Sequence, residues 1–124
     1  MTQTREIDRR QWKPFLEELS RLNLGRRVRV EVLRPGIGIH TEARDLPLVG
    51  IMTDHSAEGS DLIEVIVGDS PAAHLTHPVS APEFVHVVET DGIASAVQIV
   101  SGDGTKTLVH LNRPTASATP QAFA

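Results

Sequence analysis

The chain of 124 residues contains no cysteine and no tyrosine, and aromatic residues make up only 3% of it. The absence of cysteine excludes disulfide bonds, thiolate metal sites and a cysteine nucleophile. Because aromatic side chains are so scarce, the core must be aliphatic, built mainly from valine, isoleucine and leucine.

Long hydrophobic runs are also missing, since no stretch approaches the roughly 20 apolar residues that a membrane-spanning helix needs. The first residues, MTQTREIDRR, are charged and no apolar run follows them, so they do not resemble a secretory signal. We therefore expect a cytoplasmic protein with no membrane partner.

The charged residues are unevenly distributed along the chain. The net charge is −4, but residues 1–34 carry +4 and residues 35–124 carry −8. The basic N-terminal third could attract an anionic partner, and four of its arginines are close in sequence: Arg26, Arg27, Arg29 and Arg34. However, the acidic remainder would repel a phosphate backbone, and the strands offer few aromatic side chains on which bases could stack. We therefore do not expect nucleic acid as a partner.

The start of the chain has the pattern of one amphipathic helix. Asp8 suits the N-cap, and Ile7 and Trp12 have the spacing of a hydrophobic staple. The apolar stripe of this helix consists of Trp12, Phe15, Leu16, Leu19 and Leu22. Pro14 would remove a hydrogen bond from the helix interior. Either the helix kinks there, or the regular helix begins after one loose turn, just before this proline.

The rest of the chain has the pattern of short strands. Residues 27–33, RVRVEVL, alternate apolar and polar side chains as a half-buried strand does. The other segments of this kind are residues 39–45, 48–54, 62–68, 84–89, 93–101 and 105–111. No second helix separates these strands, which excludes a parallel βαβ sheet. The pattern predicts an α+β fold, in which an N-terminal helix is followed by a strongly bent antiparallel sheet or small β-barrel of about six to seven strands.

The domain organisation follows from the same pattern. We expect one α+β domain over residues 1–112, with its helix at about 8–23 and its strands at about 27–111. Residues 113–124, which read RPTASATPQAFA, are rich in proline, alanine and threonine, which predicts a flexible C-terminal tail.

Five stretches together resemble a family of short bacterial proteins that is catalogued only as a domain of unknown function. They read REIDRRQWKPFLEELS, EVLRPGIG, ARDLPLVGI, HLTHPVSAP and SGDGTKTLVHL, and the resemblance covers roughly residues 5–111. It implies no activity, substrate or catalytic residue. The expected architecture is also similar to the Sm-like and SH3-like small barrels, from which function does not follow.

Three of the six histidines lie close together in the stretch HLTHPVSAPEFVH. A transition metal usually needs three or four convergent ligands, so His74, His77 and His86 are the candidates for a metal site. We expect a short helical turn that ends at His74, whereas Pro78 biases His77 toward extended backbone. His86 belongs to the next strand, beyond an irregular connection. The three side chains then share no direction, and we predict no metal.

Glu64 is the one acid in an otherwise apolar strand, so it either is buried with a perturbed pKa or marks the solvent face of an edge strand. We favour the second interpretation. No catalytic triad or phosphate-binding loop is recognisable, and we predict no catalytic residue and no cofactor.

The resulting hypothesis is a non-enzymatic module that binds an unknown protein or small ligand, with a homodimer through sheet edges as one form. Two alternatives remain. One is a metal-binding protein or enzyme that uses His74 and His77, and the other is an Sm-like RNA-binding module that uses the basic N-terminal third.

Overall fold

The fold is an antiparallel sheet with one short helix, as seen in a computed structural model that describes residues 1–55 and 61–112. In chain order the elements are β1 (Thr2–Ile7), a 3₁₀ turn (Arg9–Gln11), α1 (Trp12–Leu22), β2 (Arg27–Arg34), β3 (Gly38–His55), β4 (Asp61–Ser70), β5 (Ala73–Ser80), β6 (Pro82–Thr90), β7 (Ile93–Ser101) and β8 (Lys106–Leu111). The predicted tail at 113–124 lies outside the described residues, as do residues 56–60.

The strands are arranged in the order β1-β6-β7-β8-β2-β3-β4-β5, and all neighbouring pairs are antiparallel. The long strand β3 joins two parts of the sheet. Its first half, up to Pro47, pairs with β2, and its second half, from Leu48 onward, pairs with β4. The sheet curls so that β4 approaches β6, and β5 approaches β7, across the core.

The predicted fold class was wrong in several respects. The described residues are 69% strand and 13% helical, so the protein is mostly β rather than α+β. A strand, β1, precedes the helix, and the described chain has eight strands instead of six to seven. The sheet is also not closed into a barrel, because the edge strands β1 and β5 do not pair with each other in the part of the chain described. The likeness to Sm-like and SH3-like barrels is therefore not supported.

Each error has a physical cause. The sequence of β1, TQTREI, shows no apolar alternation, since only Ile7 is buried among its six residues. It is held by backbone pairing with β6. The sequence of β5, AHLTHPVS, contains Pro78, which reads as a strand breaker but is tolerated on an edge strand, where no partner needs its missing N–H group. That proline also leaves this edge a poor partner for closing a barrel.

The core lies between the concave face of the sheet and α1, and it is aliphatic, as the composition predicts. The sheet contributes a set of fully buried side chains: Val28, Val30, Leu48, Ile51, Ile63, Val65, Val85, Val87, Val97, Ile99 and Val109. The helix adds Trp12, Leu16 and Leu19. Full burial of one such side chain is worth about 1.5–3 kcal/mol, so this aliphatic interface is the main source of stability. Among the described residues, no helix is long and apolar enough to cross a bilayer.

The N-terminal end of α1 has a loose turn before the regular helix. Asp8 caps the 3₁₀ turn by accepting a hydrogen bond from the Arg10 N–H at 2.9 Å. The Trp12 indole N–H donates to the carbonyl oxygen of Ile7 at 3.0 Å, which links the helix to β1. Pro14 is the third residue of α1, where a backbone N–H has no partner within the helix. Of the two alternatives for this proline, the helix that begins just before it is the one observed.

We expect replacement of Trp12 by alanine to lower the free energy of unfolding by about 3–5 kcal/mol, because a large buried side chain is lost and a cavity remains. Urea denaturation followed by circular dichroism measures this change. The exposed neighbour Arg10 provides the control, since Arg10→Ala should change stability by less than about 0.5 kcal/mol. A loss below about 1 kcal/mol for Trp12→Ala would contradict the core position of this residue.

The position of Pro14 can be tested in the same way. Pro14→Ala should change the free energy of unfolding by less than about 1 kcal/mol, because no hydrogen bond within α1 is missing at this site. Glu17→Pro, one turn later on the exposed face, should cost about 3 kcal/mol. Equal effects of the two substitutions in urea denaturation would show that α1 does not begin at Trp12.

Candidate functional site

His74 and His77 both lie on β5, and the strand places them on opposite faces. The two histidines are three positions apart in the sequence, and side chains alternate between the two faces along a strand. His74 is exposed, whereas His77 lies on the side that faces the core and is half-buried. The predicted helical turn before His74 was wrong: Ser70 and Ala73 close the β4–β5 hairpin, with the Ala73 N–H donating to Ser70 Oγ at 3.2 Å.

His77 has the more unusual electrostatic environment of the two. Burial lowers the pKa of His77, and the nearby Arg34 guanidinium lowers it further, while the carboxylate of Glu42 raises it in part. Glu42 is also in contact with His40, whose Nε2 lies 3.2 Å from a Glu42 carboxylate oxygen. His77 therefore faces a small polar group at one end of the core, contributed by β2 and β3.

His86 lies on a different surface, the convex face of β6. The strand alternation places it beside Phe84 and Val88, as predicted, while Val85 and Val87 are buried on the other side. Its ring stacks on Phe84 with 6.2 Å between ring centroids, and its Nε2 lies 4.0 Å from a Glu6 carboxylate oxygen. The Nδ1 atom is buried and has no hydrogen-bond partner among the described residues.

The three histidines are thus separated in space as well as in direction. Within residues 1–55 and 61–112, no three histidine, aspartate or glutamate side chains come together where they could hold a metal ion. Glu64 is half-exposed on β4, opposite Met52 and Pro78. The interpretation of its strand as an edge was wrong, because β4 lies between β3 and β5.

Three of the four clustered arginines have a polar contact within the protein. Arg26 Nε donates to the carbonyl oxygen of Asn112 at 2.6 Å, and its pKa is lowered by burial. Arg27 donates to the carbonyl oxygen of Asp45 at 3.2 Å. Arg29 Nε lies 3.3 Å from a Glu31 carboxylate oxygen. These contacts give the arginines structural roles in the loops and sheet around them.

The convex face of the sheet carries a surface that sequence reasoning missed. Strand registers place five side chains in one row across β6, β7, β8, β2 and β3: Phe84, Val100, Lys106, Leu33 and Ile39. Four of these five are apolar. A second row consists of Glu6, His86, Gln98, Leu108, Glu31 and Thr41. A third consists of Thr4, Val88, Ala96, His110 and Arg29. We call these three rows the outer face.

The polar side chains of the outer face are organised around one carboxylate. Glu31 Oε1 lies 3.0 Å from His110 Nε2, and Glu31 Oε2 lies 3.3 Å from Arg29 Nε. At the other side of the face, Glu6 is beside His86. Apart from Lys106, which lies in the middle of the first row, the charged groups are thus held toward the two sides of the face.

An antiparallel sheet with one face in water usually has polar side chains on that face. The first row of the outer face departs from this pattern, since its Phe84 is 43% exposed and its Ile39 68% exposed. The sequence carried a signal for this surface. In β7 the core positions Val97 and Ile99 alternate with Ala96, Gln98 and Val100, so two of these three positions on the outer face are apolar.

The comparisons with known proteins place the chain in a family. Residues 3–120 match the family of unknown function DUF5335. The chain belongs to this family. It is 25% identical over 108 residues to an uncharacterized protein of Aquifex aeolicus strain VF5, an alignment that covers 87% of this chain and 91% of the relative. No solved structure matches. The predicted resemblance to a bacterial family of unknown function is confirmed.

The environment of His77 predicts a pH dependence of stability. Because the pKa of His77 is lowered in the folded protein, the unfolded chain takes up the proton more readily. The contribution of neutral His77 to the free energy of unfolding is therefore complete above about pH 6.5. It is lost as the pH falls from about 6.5 through the folded-state pKa. The urea midpoint of unfolding should decrease as the pH is lowered from 8 to 5, and it should decrease less steeply for His77→Gln.

His74→Gln is the matched control for this experiment, because His74 is on the exposed face of the same strand. It should retain the wild-type slope of stability against pH. If His77→Gln and the wild type had the same slope, the buried, neutral state of His77 would be refuted.

Proposed function

We propose that this protein is a non-enzymatic interaction module that binds a partner protein with the outer face of its sheet. The observation that carries the proposal is the apolar row across five strands, in which Lys106 is the only charged side chain. Contiguous exposed apolar surface on a soluble protein marks an interaction site more often than isolated apolar residues do.

Two side chains of this row have the properties of binding anchors. Phe84 is aromatic and is held in place by stacking on His86, so little conformational freedom is lost when it becomes buried. Ile39 protrudes beside the β2–β3 turn, and the next apolar residue of that turn, Ile37, is 81% exposed. Burial of these three side chains by a partner would contribute several kcal/mol, at about 25 cal/mol per Å² of apolar surface.

A second apolar depression lies between α1 and the β6–β7 hairpin. It has a cavity volume of about 390 Å³ and is lined on its rim by Leu22 and Ile93, with Glu18 and Glu89 beside them. Both carboxylates are already paired, with Arg21 and Arg5 respectively. The groove is a single pocket whose two carboxylates are both paired, whereas the apolar row of the outer face extends across five strands. We therefore favour the outer face and use the groove as the control surface.

The enzymatic alternative requires His74 or His77 to converge with other polar groups in a pocket. His74 and His77 lie on opposite faces of β5, which argues against a joint role. The RNA-binding alternative gains little support from the outer face, because Glu31 lies beside Arg29 and a second carboxylate, Glu6, lies on the same face.

Site-specific photocrosslinking in cells tests the proposal. A benzophenone amino acid is placed at Val100, in the middle of the apolar row, and in a control protein at Ile93, on the rim of the groove. We expect a discrete crosslinked protein adduct from position 100 and none from position 93. The substitution Ile39→Glu should remove the adduct at position 100, while thermal stability changes little because Ile39 is exposed.

Absence of any adduct at position 100, or an adduct there that survives Ile39→Glu unchanged, would refute the outer face as the binding surface. An adduct formed only from position 93 would assign the interaction to the groove instead.

A further inference from the structure

We infer that the partner of the outer face is a second copy of this chain, packed face to face in a two-fold symmetric dimer. This inference rests on the proposed function, because it uses the same surface. In such a dimer the same patch of both copies forms the interface, so the patch must be large enough, electrically compatible with itself, and free of costly buried charges.

The outer face approaches the size that a stable dimer needs. Its three rows contain 16 positions. One residue on a sheet face occupies roughly 33 Å² in projection, because strands lie about 4.8 Å apart and residues of one face about 6.8 Å apart along a strand. The face therefore spans roughly 500 Å² in projection, and protruding side chains increase its accessible area. Stable interfaces begin at about 600 Å² per partner.

The charges of the face are balanced, which suits a copy of itself. Two carboxylates, Glu6 and Glu31, are matched by two permanent cations, Arg29 and Lys106. The chain as a whole carries −4. A strongly basic or acidic partner would gain no attraction from a neutral face, whereas two copies meet there without repulsion.

Two of the four charged groups, Glu31 and Arg29, would also enter the interface already paired. Glu31 is in contact with both His110 and Arg29, and Glu6 lies beside His86. Desolvation of a charge is much less costly when its partner is buried with it. Lys106 lies in the middle of the apolar row, and its aliphatic stem can cover that row while the ammonium group reaches the rim.

A sheet-edge dimer is less compatible with the strands at the two edges. On β5, Pro78 lacks the N–H group that strand addition would use. On β1 the exposed side chains include Arg5 and Glu6, and charges of this kind discourage edge pairing. The convex face therefore fits a second copy better than either edge.

Sedimentation equilibrium of the full chain between about 1 and 100 μM tests the inference. We expect a mass of twice 13.5 kDa at the upper concentrations, with dissociation on dilution. The double variant with Phe84→Glu and Ile39→Glu places carboxylates in the apolar row of both copies, and its dimer should be at least tenfold weaker. Ile93→Glu, at a similarly exposed apolar position on the groove, should leave the dimer unchanged.

Circular dichroism melting curves of all three proteins show whether each variant is folded. A wild-type chain that stays monomeric at 100 μM, or a dimer that resists the double variant but is disrupted by Ile93→Glu, would overturn the inference. The two proposals fail separately. A crosslinked adduct from position 100 with the mass of two chains supports both, whereas an adduct with a different protein retains the interaction module and refutes the homodimer.

Discussion

The whole structure depends on one strand that changes its pairing partner. β3 is hydrogen-bonded to β2 up to Pro47 and to β4 from Leu48 onward, with a register irregularity before Gly50. At this switch Leu48 is also hydrogen-bonded to the segment that connects α1 to β2. Its N–H donates to the carbonyl oxygen of Arg26, and its own carbonyl oxygen accepts from the Gly25 N–H. The point at which the sheet bends is thus the point at which α1 is attached.

The helix is fixed to the second half of β3 by a pair of hydrogen bonds. Ser20 Oγ accepts from the Ile51 N–H at 2.8 Å and donates to the Ile51 carbonyl oxygen at 3.2 Å. Gly50 is the neighbour of Ile51 on this strand, and a Cβ atom there would lie 3.7 Å from Ser20 Oγ, an ordinary van der Waals distance. Once α1 covers the concave side, the aliphatic core has no access to solvent, and the convex side is the face left without a helix.

Part of the candidate site could be predicted from the sequence. The alternation of β6 predicts that His86, Phe84 and Val88 share a face, and they do. It could not be predicted that Phe84 lies in one row with Leu33 and Ile39. That row exists only because β8 pairs with β2, which brings together segments more than 70 residues apart in the chain. Composition and spacing carry no information about such pairings, so the outer face escaped detection.

Local patterns by themselves determined the aliphatic core, the presence of one amphipathic helix near the N-terminus, and strands such as β2, because burial on one face leaves a periodicity that can be read in sequence. The similarity of the whole chain was also enough to indicate its family. Only the tertiary structure decided which two strands form the edges of the sheet and how His74, His77 and His86 are separated in space. Edge strands such as β1 are held by backbone hydrogen bonds to distant partners rather than by buried side chains, and backbone hydrogen bonds leave no pattern in the sequence.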